Sequence, residues 1–211
     1  MKKMLQIIMT SYATFMFMFW VFLAFWIYLV VIAIHGNKKD REFLTFLYSK
    51  IGKVIAKTMF LKVERKLHTS YDKNESYVVV SNHQTAMDIP ANVAGSPDEI
   101  LFKFLGKKEA ARMPFFGFII NRLCILVSRK SEFSRKASYQ KMKEGLNHGY
   151  SIFLYPEGTR NRTNEPVKDF YDGAFRLAIE MQKSLVVNTL VGIKKLNPPT
   201  GIFTYLPGKI Q

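Results

Sequence analysis

Residues 12–34 carry no charge at all (YATFMFMFWVFLAFWIYLVVIAI), and this stretch limits what the chain can fold into more than any other feature. The apolar run starts earlier, at Met4, and is broken only by Gln6, Thr10 and Ser11. About 18 apolar residues suffice to cross a bilayer as a helix, whereas the apolar core of a secretory signal has about 7–15 and then a small-residue cleavage site. This run is longer and passes without such a site into a basic flank, Lys38, Lys39 and Arg41. Residues 1–36 therefore read as a retained membrane anchor. As one helix, residues 4–34 would measure about 46 Å against a hydrocarbon core of about 30 Å. The segment then either tilts or folds back as a hairpin in one leaflet. Only Lys2 and Lys3 precede it, so the cations that follow favour an inner membrane with the remaining chain on the cytoplasmic side.

Residues 37–62 have a different pattern. Phe43, Leu44, Leu47, Ile51, Val54, Ile55 and Ala56 recur at helical spacing, with Lys50, Lys53 and Lys57 between them. Such a basic amphipathic helix serves equally to lie in the membrane interface or to cover a protein core. Residues 63–211 alternate strand and helix signals. Strands are expected at 76–81, 100–105, 124–128, 152–155 and 185–191. Helices are expected from Ile89-Pro90 onward, over 132–148 with Ser131 as cap and Gly149 as stop, and over 174–182. This order predicts an α/β fold: a mixed, mostly parallel sheet flanked by helices.

The formal net charge is +15, from 31 Lys+Arg against 16 Asp+Glu, which favours polyanionic partners. Nucleic acid is the poorer choice. The chain is 48% hydrophobic with 18 Phe, and it shows no aromatic–basic RNA signature, zinc spacing or P-loop. The single cysteine, Cys124, excludes an intrachain disulfide and sits in an apolar run, as a core thiol does. His35, His68 and His148 are scattered and form no ligand set, so no metal and no cofactor is expected. The sequons at Asn74 and Asn161 read as incidental.

Two stretches carry chemistry. Asn82-His83-Gln84-Thr85-Ala86-Met87-Asp88 follows a strand directly, where α/β folds place their sites. On a regular helix His83 and Asp88 would be about 140° apart, so they meet only if the residues between them turn. An Asp bonded to one imidazole nitrogen fixes the tautomer and leaves the other nitrogen as a base. There is no G-x-S-x-G elbow; the simple reading is a base that deprotonates a hydroxyl of the substrate, and the plainer one is a loop histidine beside a capping aspartate. The second stretch is Tyr155-Pro156-Glu157-Gly158-Thr159-Arg160-Asn161, again after a strand. Its glycine allows close backbone approach, and Arg160 offers a planar fork for phosphate oxygens. A weaker block, Gly106-Lys107-Lys108-Glu109-Ala110, is followed by Met113-Pro114-Phe115-Phe116-Gly117 and ends at Arg129; its cations suit the same phosphate.

In order and spacing these blocks resemble the lysophosphatidate (1-acylglycerol-3-phosphate) acyltransferases, over residues 76–193. The resemblance also covers Leu206-Pro207-Gly208-Lys209-Ile210. It implies His83 as general base with Asp88 as its partner, and Lys107, Arg129 and Arg160 as phosphate-binding cations. It further implies Glu157, Gly158 and Thr159 in the acceptor-binding block. Implied partners are a lysophospholipid acceptor, an acyl-CoA or acyl carrier protein donor, and the bilayer. The implied reaction acylates the sn-2 hydroxyl of lysophosphatidate to phosphatidate. The sequence departs from the family pattern at Tyr155 (usually Phe) and Asn161 (usually Ser). It also lacks a lysine in Phe170-Tyr171-Asp172-Gly173 and a proline in Val187-Asn188-Thr189. These last two departures bear on the acceptor more than on the reaction. The family sheet usually continues past the proline–glycine turn, so Gln211 is expected to mark a truncated end. A membrane-tethered module binding anionic lipid would explain the charge and the anchor but not the two motifs. A hydrolase built on Cys124 would need that thiol at a strand-to-helix turn, not inside an apolar run.

Overall fold

The computed structural model describes residues 1–211 except Thr69, Glu99, residues 129–130 and residues 199–203. Helix α1 spans Lys2–His35, and among the described residues it is the one helix long and apolar enough to cross a membrane. It is apolar all round, so it has two apolar faces to satisfy. Ala13, Val21, Ala24 and Tyr28 recur on one side and are buried against the protein, while Ile8, Phe15, Phe19, Phe22 and Trp26 remain exposed. The docked side is tied down at several depths. The Tyr205 N–H donates to Thr10 Oγ1 (3.0 Å), Trp20 Nε1 to Thr58 Oγ1 (3.2 Å), and Arg122 Nε to the Tyr28 hydroxyl (2.9 Å).

The amphipathic stretch that follows is not one regular helix. It comprises α2 (Asp40–Phe46), a π-helical turn (Leu47–Gly52) and α3 (Lys53–Thr58). Phe43, Leu44, Leu47, Ile51, Ile55 and Ala56 are buried, and Lys50, Lys53 and Lys57 are exposed. The π turn admits one extra residue per turn and brings Gly52 against the next layer. A Cβ on Gly52 would stand 2.3 Å from the Val93 side chain, so only bare backbone fits there.

The remaining elements run β1 (Leu61–Val63), β2 (Val78–Ser81), α4 (Asp88–Gly95), β3 (Phe102–Lys107), α5 (Phe116–Leu123) and β4 (Cys124–Val127). They continue with α6 (Glu132–Asn147), β5 (Ser151–Leu154), α7 (Gly173–Glu180), β6 (Leu185–Asn188), α8 (Ile193–Leu196) and β7 (Gly208–Ile210). The main sheet has the order β4-β3-β5-β2-β6, and every pairing in it is parallel. A second, two-stranded parallel ribbon joins β1 to β7, so the Leu206–Ile210 stretch closes back onto the residues that follow α3.

Parallel sheets are covered on both faces, which is why β2 and β5 read as apolar runs without alternation. Val79, Phe102, Phe104 and Phe153 share a core with α1, α3 and α4. Val78, Val80, Ile152 and Leu154 pack on Met142 and Leu146 of α6 and on Ala174 and Leu177 of α7. The helix after β2 and the helix after the neighbouring β5 thus lie on opposite faces of the sheet. This makes the carboxyl ends of these two strands a topological switch point, the place where open α/β sheets form their ligand crevice.

Two expectations shift and one holds. β3 starts and ends later than the sequence suggests, because Lys107 still pairs with Val127. The capping of α6 by Ser131 is as expected: its Oγ accepts the Ser134 N–H at 3.1 Å. β6 stops at Asn188 instead of running to 191, since the Leu190 N–H and C=O are both taken by the Asn82 side chain (2.8 and 3.0 Å).

Candidate active site

The motif after β2 folds into a tight turn around one carboxylate. Asp88 is fully buried, and its Oδ2 accepts the Gln84 N–H (2.5 Å) and the Thr85 N–H (2.9 Å) and meets His83 Nδ1 (2.8 Å). Its Oδ1 accepts the Thr85 hydroxyl at 3.1 Å, and that hydroxyl in turn accepts the Met87 N–H at 3.0 Å. The turn removes the rotation that would separate His83 from Asp88 on a helix. With Nδ1 bound to a carboxylate, the imidazole proton lies on Nδ1 and the lone pair is on Nε2. The His83 side chain keeps 19% of its surface exposed, and Nε2 has no partner among the described residues.

Glu157 holds the same loop from below. Only 1% of it is exposed. Its Oε1 accepts the His83 N–H (2.6 Å) and its Oε2 accepts the Lys168 N–H (3.1 Å), while the His83 C=O accepts the Asn161 N–H (2.6 Å). The structure therefore places Glu157 as a buried clamp on the histidine's backbone. Gly158, next in sequence, has φ +69°, where an L side chain is unfavourable. Gly158→Ala should lose about 1–2 kcal/mol, the usual cost of a left-handed alanine. The exposed Tyr171 ring, 2.8 Å from the added Cβ, can swing aside. A denaturant midpoint unchanged from wild type would refute that backbone requirement.

Tyr155 was visible in the sequence only as an aromatic replacement. In the structure its ring lies under the imidazole, centroids 4.1 Å apart and planes at 19°. Its hydroxyl accepts from Asn92 Nδ2 (3.1 Å), and Asn92 Oδ1 accepts from Asn188 Nδ2. Burial, with the Asp88 carboxylate adding to it, pushes this phenol well above its ordinary value, so it stays neutral. Asn161 is also fully buried. Its Oδ1 accepts the Thr163 N–H (2.9 Å) and its Nδ2 donates to the Glu165 C=O (2.9 Å), which folds loop 161–165 and leaves no accessible glycosylation amide.

The candidate cations lie at the same end of the sheet. Lys107 closes β3, the neighbour of β5, and is exposed; Arg160 is exposed on the loop after β5. Thr159 is exposed beside it and its hydroxyl accepts from Lys168 Nζ at 2.9 Å. Arg129 lies outside the described residues. Cys124 opens β4, and burial pushes its thiol up to about 12, so it supplies no thiolate.

The model of the acyltransferase family matches residues 62–191, which include every element of this site. The chain belongs to the acyltransferase family. Among its relatives is the chloroplast 1-acyl-sn-glycerol-3-phosphate acyltransferase of Arabidopsis thaliana, 30% identical over 122 residues, 57% of this chain and 33% of that one. Another is the 1-acyl-sn-glycerol-3-phosphate acyltransferase of Borreliella burgdorferi, 29% identical over 142 residues, 64% of this chain and 55% of that one. The chain spans about half, or less, of these relatives' lengths. In fold it matches the crystal structure of the 1-acyl-sn-glycerophosphate acyltransferase PlsC of Thermotoga maritima. The TM-score is 0.84 at 23% identity, covering 100% of this chain and 83% of the other. The acyltransferase match begins at residue 62, so α1 to α3 lie before it while sharing a core with the matched sheet.

Proposed function

We propose that this acyltransferase moves an acyl group from a thioester, acyl-CoA or acyl carrier protein, to the sn-2 hydroxyl of lysophosphatidate, giving phosphatidate. The observation that carries the reading is the His83 imidazole. Its Nδ1 is anchored on buried Asp88, Nε2 is unengaged, and no serine or cysteine bonds to the ring among the described residues. Such a base calls for a hydroxyl brought by the substrate. The relatives' names supply the acceptor, and exposed Lys107 and Arg160 at the crevice rim suit its phosphate.

In the proposed reaction Nε2 takes the acceptor's hydroxyl proton as the oxygen attacks the thioester carbonyl. The tetrahedral intermediate collapses with cleavage of the carbon–sulfur bond. The departing thiolate recovers the proton from the imidazolium, which Asp88 stabilises meanwhile. Neither metal nor further cofactor enters these steps.

The helix α1 supports a membrane setting. It meets the rest of the protein from Thr10 to Tyr28, a rise of about 27 Å. A domain fastened along that length would be drawn into the hydrocarbon if the helix stood upright in the bilayer. The helix is therefore best placed lying in one leaflet, with its exposed aromatic side in lipid and the crevice at the surface. The basic flank favours the cytoplasmic side.

The deciding experiment is acyl transfer from labelled acyl-CoA to lysophosphatidate, beside an acyl carrier protein donor and a panel of other lysolipids. Product with lysophosphatidate supports the reading. Product only with another lysolipid keeps the reaction and changes the acceptor, as the missing lysine near Phe170 would favour. No product with any pair would leave a membrane-tethered lipid-binding module. Arg160→Ala should raise the acceptor KM with little change in kcat, because the side chain only positions phosphate. A pure kcat loss would refute that role.

A further inference from the structure

A groove of about 430 Å³ lies at the carboxyl end of α3, away from the crevice. Ala56, Val63 and Ala94 form its apolar floor, and the exposed side chains of Lys57, Phe60 and Lys62 stand around it. The carboxylates nearby are already engaged: Asp98 with Lys53 (2.6 Å) and Glu64 with Lys209 (2.5 Å). Lys57 and Lys62 have no carboxylate partner among the described residues. The groove is thus an apolar slot edged by two lysines that hold no ion pair of their own among the described residues.

Phe60 gives a second and independent observation. It stands just beyond the end of α3 with φ +55°, the left-handed conformation that usually selects glycine after a helix. Its N–H donates to the Lys57 C=O at 3.0 Å, so the turn is a regular helix ending with the wrong residue for it. The ring is 57% exposed and stacks on Tyr12 of α1, centroids 5.7 Å apart. Strain of this kind persists where the side chain is put to use. Tyr12 belongs to the helix whose other face is exposed and apolar, so the groove opens beside the lipid-facing surface.

We infer that this groove binds one anionic phospholipid of the bilayer, its phosphate taken by Lys57 and Lys62 and the start of an acyl chain laid over Phe60 and the groove floor. A bulky ring and two free lysines beside an apolar slot match a charged headgroup joined to a hydrocarbon chain. The inference shares the membrane placement of α1 with the functional proposal and does not depend on acyl transfer.

The test uses the full chain in a neutral detergent, titrated with phosphatidylglycerol or with phosphatidylcholine of the same chains, and counts bound lipid by native mass spectrometry. No acyl donor is present, so failure of the catalytic proposal leaves this assay unaffected. One saturable phosphatidylglycerol should bind in clear preference to phosphatidylcholine. A lysine near an anionic lipid surface contributes about five-fold, so Lys57→Gln with Lys62→Gln should weaken the anionic lipid by about twenty- to thirty-fold. Phe60→Gly should raise the thermal midpoint and still loosen the lipid; a purely structural Phe60 would give the first effect without the second. Equal affinity for the two lipids would overturn the inference. So would a preference that survives the double substitution, since the lipid would then sit elsewhere. Displacement by an equal concentration of inorganic phosphate would make the groove a site for the free anion and overturn the lipid assignment.

Discussion

His83→Ala will lose acyl transfer by at least about 10²–10⁴-fold, the contribution typical of a positioned general base, while the chain stays folded. The fold should survive because the ring supports little else. Asp88 keeps three other donors, the Gln84 and Thr85 amides and the Thr85 hydroxyl. Glu157 keeps the residue's own N–H, which alanine retains. Among the described residues the ring's other recorded contact is the face of Tyr155, and the gap left there opens to solvent. Measuring transfer of a labelled acyl group alongside thermal unfolding separates lost chemistry from lost structure. The same preparation should still bind anionic vesicles through α1, so transfer would fall while membrane association held. Activity within about tenfold of wild type would place the base elsewhere, because so small a loss is below what general base catalysis supplies.

What the sequence shows and hides about this site follows from the range of the interactions. The two motifs were legible because each is local: a β-branched strand, then residues whose chemistry is set within one turn. His83 and Asp88 are brought together by amides that lie between them in sequence. The parallel sheet was legible from its apolar runs, which buried central strands require. The partners of Glu157 were not legible. A carboxylate within a motif of glycine and arginine reads as a ligand-facing group, and only the fold shows that its oxygens meet the amides of His83 and Lys168. Asn82 was hidden for the same reason, since its partner Leu190 lies at the far end of the domain sequence. Asn188, seen in sequence as a missing proline, gains a reason here. Its side-chain amide donates to Asn92, which supports the Tyr155 hydroxyl under the imidazole, and a proline could do neither. The departures at Tyr155 and Asn188 thus belong to one partly buried network. The amphipathic stretch before β1 remained ambiguous because a helix covering a core and a helix lying on a membrane share one pattern.

Asp88→Asn should keep the fold and lower kcat by about 10²–10³-fold, less than His83→Ala does, because it removes a charge without inverting the histidine's tautomer. In serine proteases the corresponding exchange costs about 10⁴-fold, as the new amide presents its NH₂ to the ring and forces the wrong tautomer. Here the backbone decides the amide's orientation. Oδ2 receives two peptide N–H groups as well as His83 Nδ1, whereas Oδ1 receives, among the described residues, only the Thr85 hydroxyl. An asparagine NH₂ at the Oδ2 position would face both peptide donors in a buried site, leaving them unsatisfied at about 1–3 kcal/mol each. At the Oδ1 position it meets a hydroxyl that can rotate to accept. The carbonyl oxygen therefore takes the place of Oδ2 and still accepts from Nδ1–H, so Nε2 keeps its lone pair. What is lost is the attraction between carboxylate and imidazolium, at most about 4 kcal/mol for charges about 4 Å apart near a protein surface. Asp88→Ala, by contrast, strands both peptide donors and should unfold at a lower temperature. Equal inactivation by Asp88→Asn and His83→Ala, with both proteins folded, would show that the tautomer had inverted and that the two amides do not set the side chain's orientation.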